Sequence, residues 1–444
     1  MDAAPSLKSI VRELYPLHRT LVSDGTDEAL EIIGGYLPDS ANYSQETYTP
    51  GEKVWTWIVP DRYVVHEAYF ETERGQRIVD FEHNPLHLVS YSLATDCTLK
   101  WDDLQAHLYY SEKRPTAIPW EFKYYERGWG FCLSKRQFEE LSKDEKYHVV
   151  IRSEFKKDPD KGLRIGVAMV HPEGGHCKDS GEILLCSHVC HPYQANDDIA
   201  GAVTMLEVAK RFTENPLPQG SMSIRFLFCP ETIGSICYLS HHEDLIPNFR
   251  GAIFCEMTGN QNIIALQRSR QDNHLMDRIA RYVLKRRNAQ FREGAFREII
   301  GNDEMVINGP GVNIPCISLS RWPYDEYHTS DDNPDIIVED MLQESADIIE
   351  EIIRIFASNS YPCRVFRGPI FLSGYGLWVD WRVNPALNAA LEKIMLKLEG
   401  TDSIFAISES LNLDYWEVYK YIREFFQKNL ITLSPRPITA KKGK

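Results

Sequence analysis

Apolar positions along this chain follow two periods, and the places where the period changes divide it into segments. Residues 6–37 have helical spacing: Leu7, Ile10, Leu14 and Leu17 fall on one face. Ala29, Leu30 and Ile33 fall on a second helix that stops at Gly34-Gly35. Residues 51–145 change character. Short runs rich in β-branched and aromatic residues (VWTWIV, RYVVHEAYFE, HLVSYSL, AHLYYS, WEFKYYE) are separated by Glu73-Arg74-Gly75, Pro115 and Pro119. They predict an all-β segment closed by a helix over SKRQFEELSK. From residue 147, strands and helices alternate. YHVVIRSEF and LRIGVAMV predict a hairpin across Asp158-Pro159-Asp160-Lys161-Gly162. EILLCSHV, SIRFLFCPE, GAIFCEM and CISLSRW then predict strands, interleaved with helices at 199–213, TIGSICYLSHH, HLMDRIARYVLKRR and 338–357. That alternation implies an α/β layer with helices on both faces. If the two N-terminal helices belong to this layer, the β segment is an insertion. After Pro362, three helical patterns and a final ITLSP strand suggest a helix-turn-helix relative with a wing.

Composition narrows the function classes. The 444 residues are 43% hydrophobic and 11% aromatic, enough for sizeable cores. The net charge is -15, and the basic clusters are short: Lys285-Arg286-Arg287 and the terminal Lys441, Lys442 and Lys444. Residues 361–444 hold 12 Lys and Arg against 8 Asp and Glu, and the last predicted helix carries Asp414, Glu417 and Glu424 against Lys420, Arg423 and Lys428. A DNA-recognition helix is normally more basic, so nucleic acid is not the expected partner. No apolar run approaches the length of a membrane span. The N-terminus lacks a signal peptide's apolar core. Ten scattered cysteines, several in strand-like runs, read as reduced core residues of a cytoplasmic protein.

The chemistry gathers where strands end. LLCSHVCHPYQANDDIAG passes from a buried strand into His188, Cys190, His191, Asp197 and Asp198, then into a helix. In open α/β sheets, sites form at that carboxyl edge. Imidazoles and carboxylates at a core edge need partners, which a divalent metal can supply. Four later points extend the set: Glu231 after SIRFLFCP, Glu256 after GAIFC, Asp303-Glu304 in GNDEMVINGPG, and His328 after CISLSRW.

This ordered set resembles the M28-like zinc aminopeptidases and the related glutaminyl cyclases. More closely it resembles aminopeptidase-like proteins with a β-insert and a C-terminal winged helix. The likeness covers nearly the whole chain. It implies a phosphorylase/hydrolase-like mixed sheet with helices on both faces (residues 1–50 and 146–360), an inserted β domain (51–145) and a winged-helix domain (361–444). It implies one or two Zn²⁺ ions, with His188, Asp197, Glu256 and His328 as metal ligands and Glu231 as the general base that activates metal-bound water. Two positions depart from the family pattern. Cys190 stands at the Asp of His-x-Asp, which normally orients the first ligand, and Thr232 stands at the second Glu of Glu-Glu, a usual ligand. His191 is a spare imidazole that would compensate, and Cys190 reads as a buried thiol beside the ligands.

The remaining expectations concern substrate and partners. Asp303 and Glu304 are expected at the rim, anchoring a substrate's free ammonium group. Asp198 is expected to cap the helix beginning near Ile199, and Asp331, Asp332 and Asn333 to be turn and cap residues. The expected activity is removal of an N-terminal amino acid, or cleavage of a similar amide, from a peptide or small molecule. A glutaminyl-cyclase-like or amidase activity and a non-catalytic assembly role are the alternatives. A homo-oligomer is the expected state, and the aromatic C-terminal region is expected to pack against a partner subunit or to cover the active site.

Overall fold

Glu182–His188 is buried at every position, the pattern of a strand covered on both faces, and the main sheet is built around it. In the computed structural model, which describes residues 5–177, 179–287 and 290–438, this strand lies between Ser223–Cys229 and Phe249–Cys255, parallel to both. Cys316–Ser320 continues the parallel set beyond Phe249–Cys255. Four parallel strands therefore open their carboxyl ends on one edge. The sheet has eight strands and is mixed. Leu163–Val170 and Ser44–Tyr48 add antiparallel on one side, while Ala265–Gln267, antiparallel to Cys316–Ser320, and Arg292–Gly294 close the other. The chain leaves Glu182–His188 for one neighbour and later returns to the other, so this strand marks the switch point of the sheet.

The flanking helices follow the predicted pattern, except that the first ends at Leu14 and leaves the expected Leu17 outside it. Leu7–Leu14, capped by Ser6, buries Leu7, Ile10 and Leu14, and Asp24–Tyr36, capped by Ser23, buries Ala29, Leu30 and Ile33. Gly201–Glu214, Ile233–His241 and Leu275–Arg286 follow the strands in turn.

A second sheet of four strands has the order Arg77–Asp80, Arg62–Thr72, Lys146–Lys156, Thr95–Lys100. This corrects the expected hairpin. Residues 147–156 pair with Arg62–Thr72, and Leu163–Val170 pairs in the main sheet. The charged turn at 158–162 is real, but it hands the chain from one sheet to the other. Much of 85–130 is irregular, held by isolated bridges such as Ser90–Phe122 and Pro119–Thr329.

The chain divides into two compact units at Glu350/Glu351. The C-terminal unit contains helices Pro385–Leu396, Ile404–Leu411 and Tyr415–Gln427, and an antiparallel pair of Tyr361–Arg364 with Ile431–Ser434. Phe371, Trp378, Trp381 and Val383 are exposed there. The terminal lysine cluster lies outside the described residues. Among the described residues, no helix is long and apolar enough to cross a membrane.

Candidate metal centre

Each of the four parallel strands delivers a chemical group to the same edge. His188 is the last residue of its strand, Glu256 follows Phe249–Cys255, Glu231 lies two residues past Cys229, and His328 sits in the loop after Cys316–Ser320. Asp197 comes from a π-helical turn, Ala195–Ala200, that precedes helix Gly201–Glu214. Its own backbone is not helical (φ -101°, ψ 87°). The turn is held from across the site. Asp332 is fully buried and accepts the amides of Ala195, Asn196 and Asp197 at 2.7–3.2 Å, and the Tyr324 hydroxyl at 2.6 Å. Asp332 is thus a brace for the turn and not the local cap its sequence context suggests. Gly201 permits the close approach of the turn to the sheet: a Cβ there would lie 2.3 Å from the Cys255 carbonyl oxygen.

The side chains converge on Asp197. His188 Nε2 lies 3.3 Å from Asp197 Oδ1 and 2.9 Å from Glu256 Oε2. On the other side, His191 Nδ1 lies 3.3 Å from Asp197 Oδ1, and His328 Nε2 lies 3.1 Å from Oδ2. Two triads result, His188–Asp197–Glu256 and His191–Asp197–His328, each with its donor atoms close enough to share one ion. Their orphaned atoms identify what they lack. His191 Nδ1, Asp197 Oδ2, His328 Nε2 and Glu256 Oε1 are buried without a hydrogen-bond partner, as is His188 Nδ1 on the far side of its ring. Buried polar atoms are rarely left so, and imidazole nitrogens with carboxylate oxygens are zinc's donors. The residues present therefore fit one or two Zn²⁺ ions sharing Asp197.

The expected ligands His188, Asp197, Glu256 and His328 all lie in this cluster. His191 stands among them as a third imidazole. Its other nitrogen, Nε2, is 3.0 Å from Glu231 Oε2. Glu231 lies at the exposed side of the cluster, its side chain a quarter accessible. Thr232, with φ 61°, gives its amide to Asp303.

Cys190 is buried, and its Sγ accepts the Glu231 amide at 3.1 Å. The carboxylate missing from that position is supplied elsewhere. Asp198 Oδ2 lies 3.2 Å from His188 Nδ1, accepts the His191 amide at 3.1 Å, and faces the fully buried Arg19, whose Nη2 is 3.5 Å from its Oδ1. Arg19 also donates to the carbonyls of Leu14, His191 and Gln194. Asp198 does not cap a helix, as its sequence context suggested; it points into the core. Asn302, absent from the expected set, donates to Glu256 Oε2 at 2.8 Å.

The expected rim position of Asp303 and Glu304 is not found. Both are fully buried. Asp303 accepts the Thr232 amide and the Ser235 hydroxyl, and Glu304 accepts the Asn302 amide and faces Arg297. They brace the loop behind Glu256. Burial raises their pKa values, to about 6 for Asp303 and about 7 for Glu304.

Electrostatics separates the other carboxylates. Burial raises Glu256 to about 8, despite its bond to His188. Burial also opposes ionisation of Asp197 and Glu231. For both, the facing imidazoles prevail and lower the pKa. The centre thus combines acidic donors, held ionised by histidines, with one carboxyl that burial pushes toward protonation. A dication would remove that conflict.

Comparison with known proteins accords with this geometry. The family model "Domain of unknown function (DUF4910)" matches residues 8–359. The chain belongs to this family. A Clostridium acetobutylicum relative named "Putative polysaccharide biosynthesis protein with aminopeptidase-like domain" is 31% identical over 360 residues, which cover 81% of this chain and 79% of that protein. A crystal structure titled as a "putative peptidase" from the same organism covers 96% of both chains, at TM-score 0.83 and 27% identity. A zinc aminopeptidase from Bacillus subtilis covers 80% of this chain and 95% of its own, at TM-score 0.59 and 14% identity. An M28 peptidase precursor from Shewanella amazonensis matches at TM-score 0.57 and 15% identity, over 80% and 93% of the two chains. The DUF4910 chain described here thus has the M28-like zinc-aminopeptidase fold.

Proposed function

We propose that this protein is a metal-dependent aminopeptidase-like hydrolase that removes an N-terminal amino acid or cleaves a similar amide. The observation that carries the reading is the pair of donor triads meeting at Asp197, with orphaned nitrogens and oxygens turned toward each other. His188, Asp197 and Glu256 would hold one Zn²⁺ ion, and His191, Asp197 and His328 a second. Zinc in such a centre supplies Lewis acidity toward water and toward a carbonyl oxygen. Glu231 is the general base. Its carboxylate is kept ionised against burial by His191, which also orients it, and it reaches the accessible side of the centre. There it takes a proton from the attacking water and returns it to the leaving amine. Cys190 fixes the Glu231 backbone through its thiol.

A peptide or small amide with a free amine is the substrate class we favour. The aminopeptidase-like domain of the clostridial relative supports it. The three helices and paired strands of the C-terminal unit support a winged-helix reading. Its exposed Phe371, Trp378 and Trp381 support assembly with a second copy, and its near-balanced charge argues against nucleic acid. The ten free cysteines support a reducing, cytoplasmic compartment.

The test is metal analysis of the purified protein beside His188→Ala and Asp197→Ala, with hydrolysis scored on a panel of amino-acid amides. The wild type is expected to hold zinc and release amine. Both variants should lose metal, and Glu231→Gln should keep metal and lose turnover. Metal content untouched by both alanine changes would refute the site.

A further inference from the structure

Two residues before His188 and two before Glu231, the same strands carry a pair of cysteines. Cys186 and Cys229 are fully buried, and their sulfurs lie 3.9 Å apart. The strand register pairs Cys186 with Leu227 and Cys229 with His188. That offset of two residues places the two Cα atoms about 8 Å apart, beyond the roughly 7 Å that a disulfide bridges. The sulfurs therefore meet as thiols. A third group joins them. Asp303, also fully buried, brings a carboxylate oxygen, and the three donor atoms all lie within 4.8 Å of one another. Among the described residues, this is the one such donor group that shares no side chain with the Asp197 centre.

A contact between thiols would account for the two sulfurs, but not for Asp303. Asp303 Oδ1 accepts the Thr232 amide and the Ser235 hydroxyl, while Oδ2 is buried with no partner. An acceptor in that state is costly unless something meets it. Zinc takes sulfur and carboxylate oxygen together, at about 2.3 Å and about 2.0–2.2 Å. Two thiolates on one tetrahedral zinc stand about 3.8 Å apart, close to the separation of Cys186 and Cys229.

We propose that Cys186, Cys229 and Asp303 form a separate structural metal site, which binds one thiophilic ion such as Zn²⁺ in addition to those at Asp197. The two thiols release their protons to solvent as they coordinate the ion, and its charge offsets the negative charge left on them. None of the three side chains is accessible, so the ion does no chemistry on a substrate. It acts on position. Cys186 leads to His188 and Cys229 leads to Glu231, while Asp303 holds the Thr232 amide and follows Asn302, which donates to Glu256. One ion thus ties together the segments that present a ligand, the general base and the group that holds Glu256. The inference goes beyond the hydrolase reading and does not depend on it.

The experiment uses the full-length protein, produced with cobalt(II) in place of zinc. Cobalt bound to thiolate absorbs strongly in the near ultraviolet, and nitrogen and oxygen donors give no such band. The wild type should show the band. Cys186→Ala/Cys229→Ala should lose it, together with one ion per chain by mass spectrometry. Cys190→Ala removes the thiol grouped with His188 and His191 and should keep it. A wild type without the band would overturn the proposal. So would a band that vanishes with Cys190 or survives the loss of Cys186 and Cys229. X-ray absorption at the zinc edge, on zinc-loaded wild type and Cys190→Ala, decides the matter even if the double variant does not fold. Both should show sulfur at about 2.3 Å from zinc; nitrogen and oxygen neighbours alone would overturn the site.

Discussion

Asp198→Asn is the most informative single change at this centre. It removes one charge, keeps size and one acceptor oxygen, and touches none of the atoms placed to hold zinc. In the structure, Asp198 Oδ2 stands 3.2 Å from His188 Nδ1, the ring nitrogen opposite the one that faces Asp197 and Glu256. A carboxylate charge at that distance raises the basicity of the zinc-facing nitrogen. Losing such a partner typically costs 10–100-fold in metal affinity, or about 1.4–2.8 kcal/mol. A second effect falls on the fold. Arg19 is fully buried, and Asp198 is the carboxylate paired with it. Breaking a buried pair costs about 3–5 kcal/mol. Here the pair is long, 3.5 Å, and three backbone carbonyls also accept from Arg19, so the loss should fall at or below the bottom of that range. Zinc affinity is measured by competition against a chromophoric chelator, and stability by urea unfolding of the metal-free protein. The double variant Cys190→Asp/Asp198→Asn returns a carboxylate to the family's own position and should recover most of the zinc affinity without restoring the Arg19 pair. Zinc affinity of Asp198→Asn equal to that of the wild type would refute the claim that Asp198 has taken over the orienting role.

Two further outcomes follow from the same geometry. His191→Ala should reduce the zinc at the Asp197 centre from two ions to one, because it removes a donor from the His191–Asp197–His328 triad and leaves His188–Asp197–Glu256 intact; an unchanged metal count by mass spectrometry would exclude His191 as a ligand. Glu304 has a folded-state pKa raised from 4.5 to about 7, chiefly by burial. Its contribution to stability is therefore fully present below about pH 4.5 and is lost as pH rises through 7, by at most about 3 kcal/mol. Glu304→Gln stays neutral and should flatten the urea-measured stability profile across that window relative to wild type; parallel profiles would contradict the assignment.

The parts of the centre that could be read from sequence are those that strand order alone decides. His188, Glu231, Glu256 and His328 each follow an apolar run, and four parallel runs must open on one edge, so their convergence needs no knowledge of side-chain direction. The pairing of Lys146–Lys156 was hidden for the opposite reason. The Asp158–Gly162 turn is a local signal, and local turn chemistry does not say which sheet the next strand joins. It reads as a hairpin, while the ten-pair match with Arg62–Thr72 comes from across the chain. Asp303 and Glu304 were expected at the accessible rim because two adjacent carboxylates normally need water. Amide donors and Ser235 and Arg297 replace it here, and no pattern in the sequence shows those partners.

Asp198 and Asp332 carry this point furthest. Adjacent carboxylates before a helix read as caps, since an Asp at such a position usually accepts its own helix's amides. In this turn the amides are taken instead by Asp332, 135–137 residues away. That frees Asp197 for the metal side and Asp198 for His188. The brace, the ligand and the orienting group are therefore one cooperative arrangement. Seen alone, Cys190 and Thr232 look like lost functions. Seen with the turn, the carboxylate beside His188 comes from Asp198 in the turn and not from the strand, and an imidazole, His191, stands beside Asp197 where Thr232 offers no carboxylate. Asp332 and Asp198 find their partners within the protein, whereas the His191 nitrogen that faces Asp197 has none, and a cation there would satisfy it.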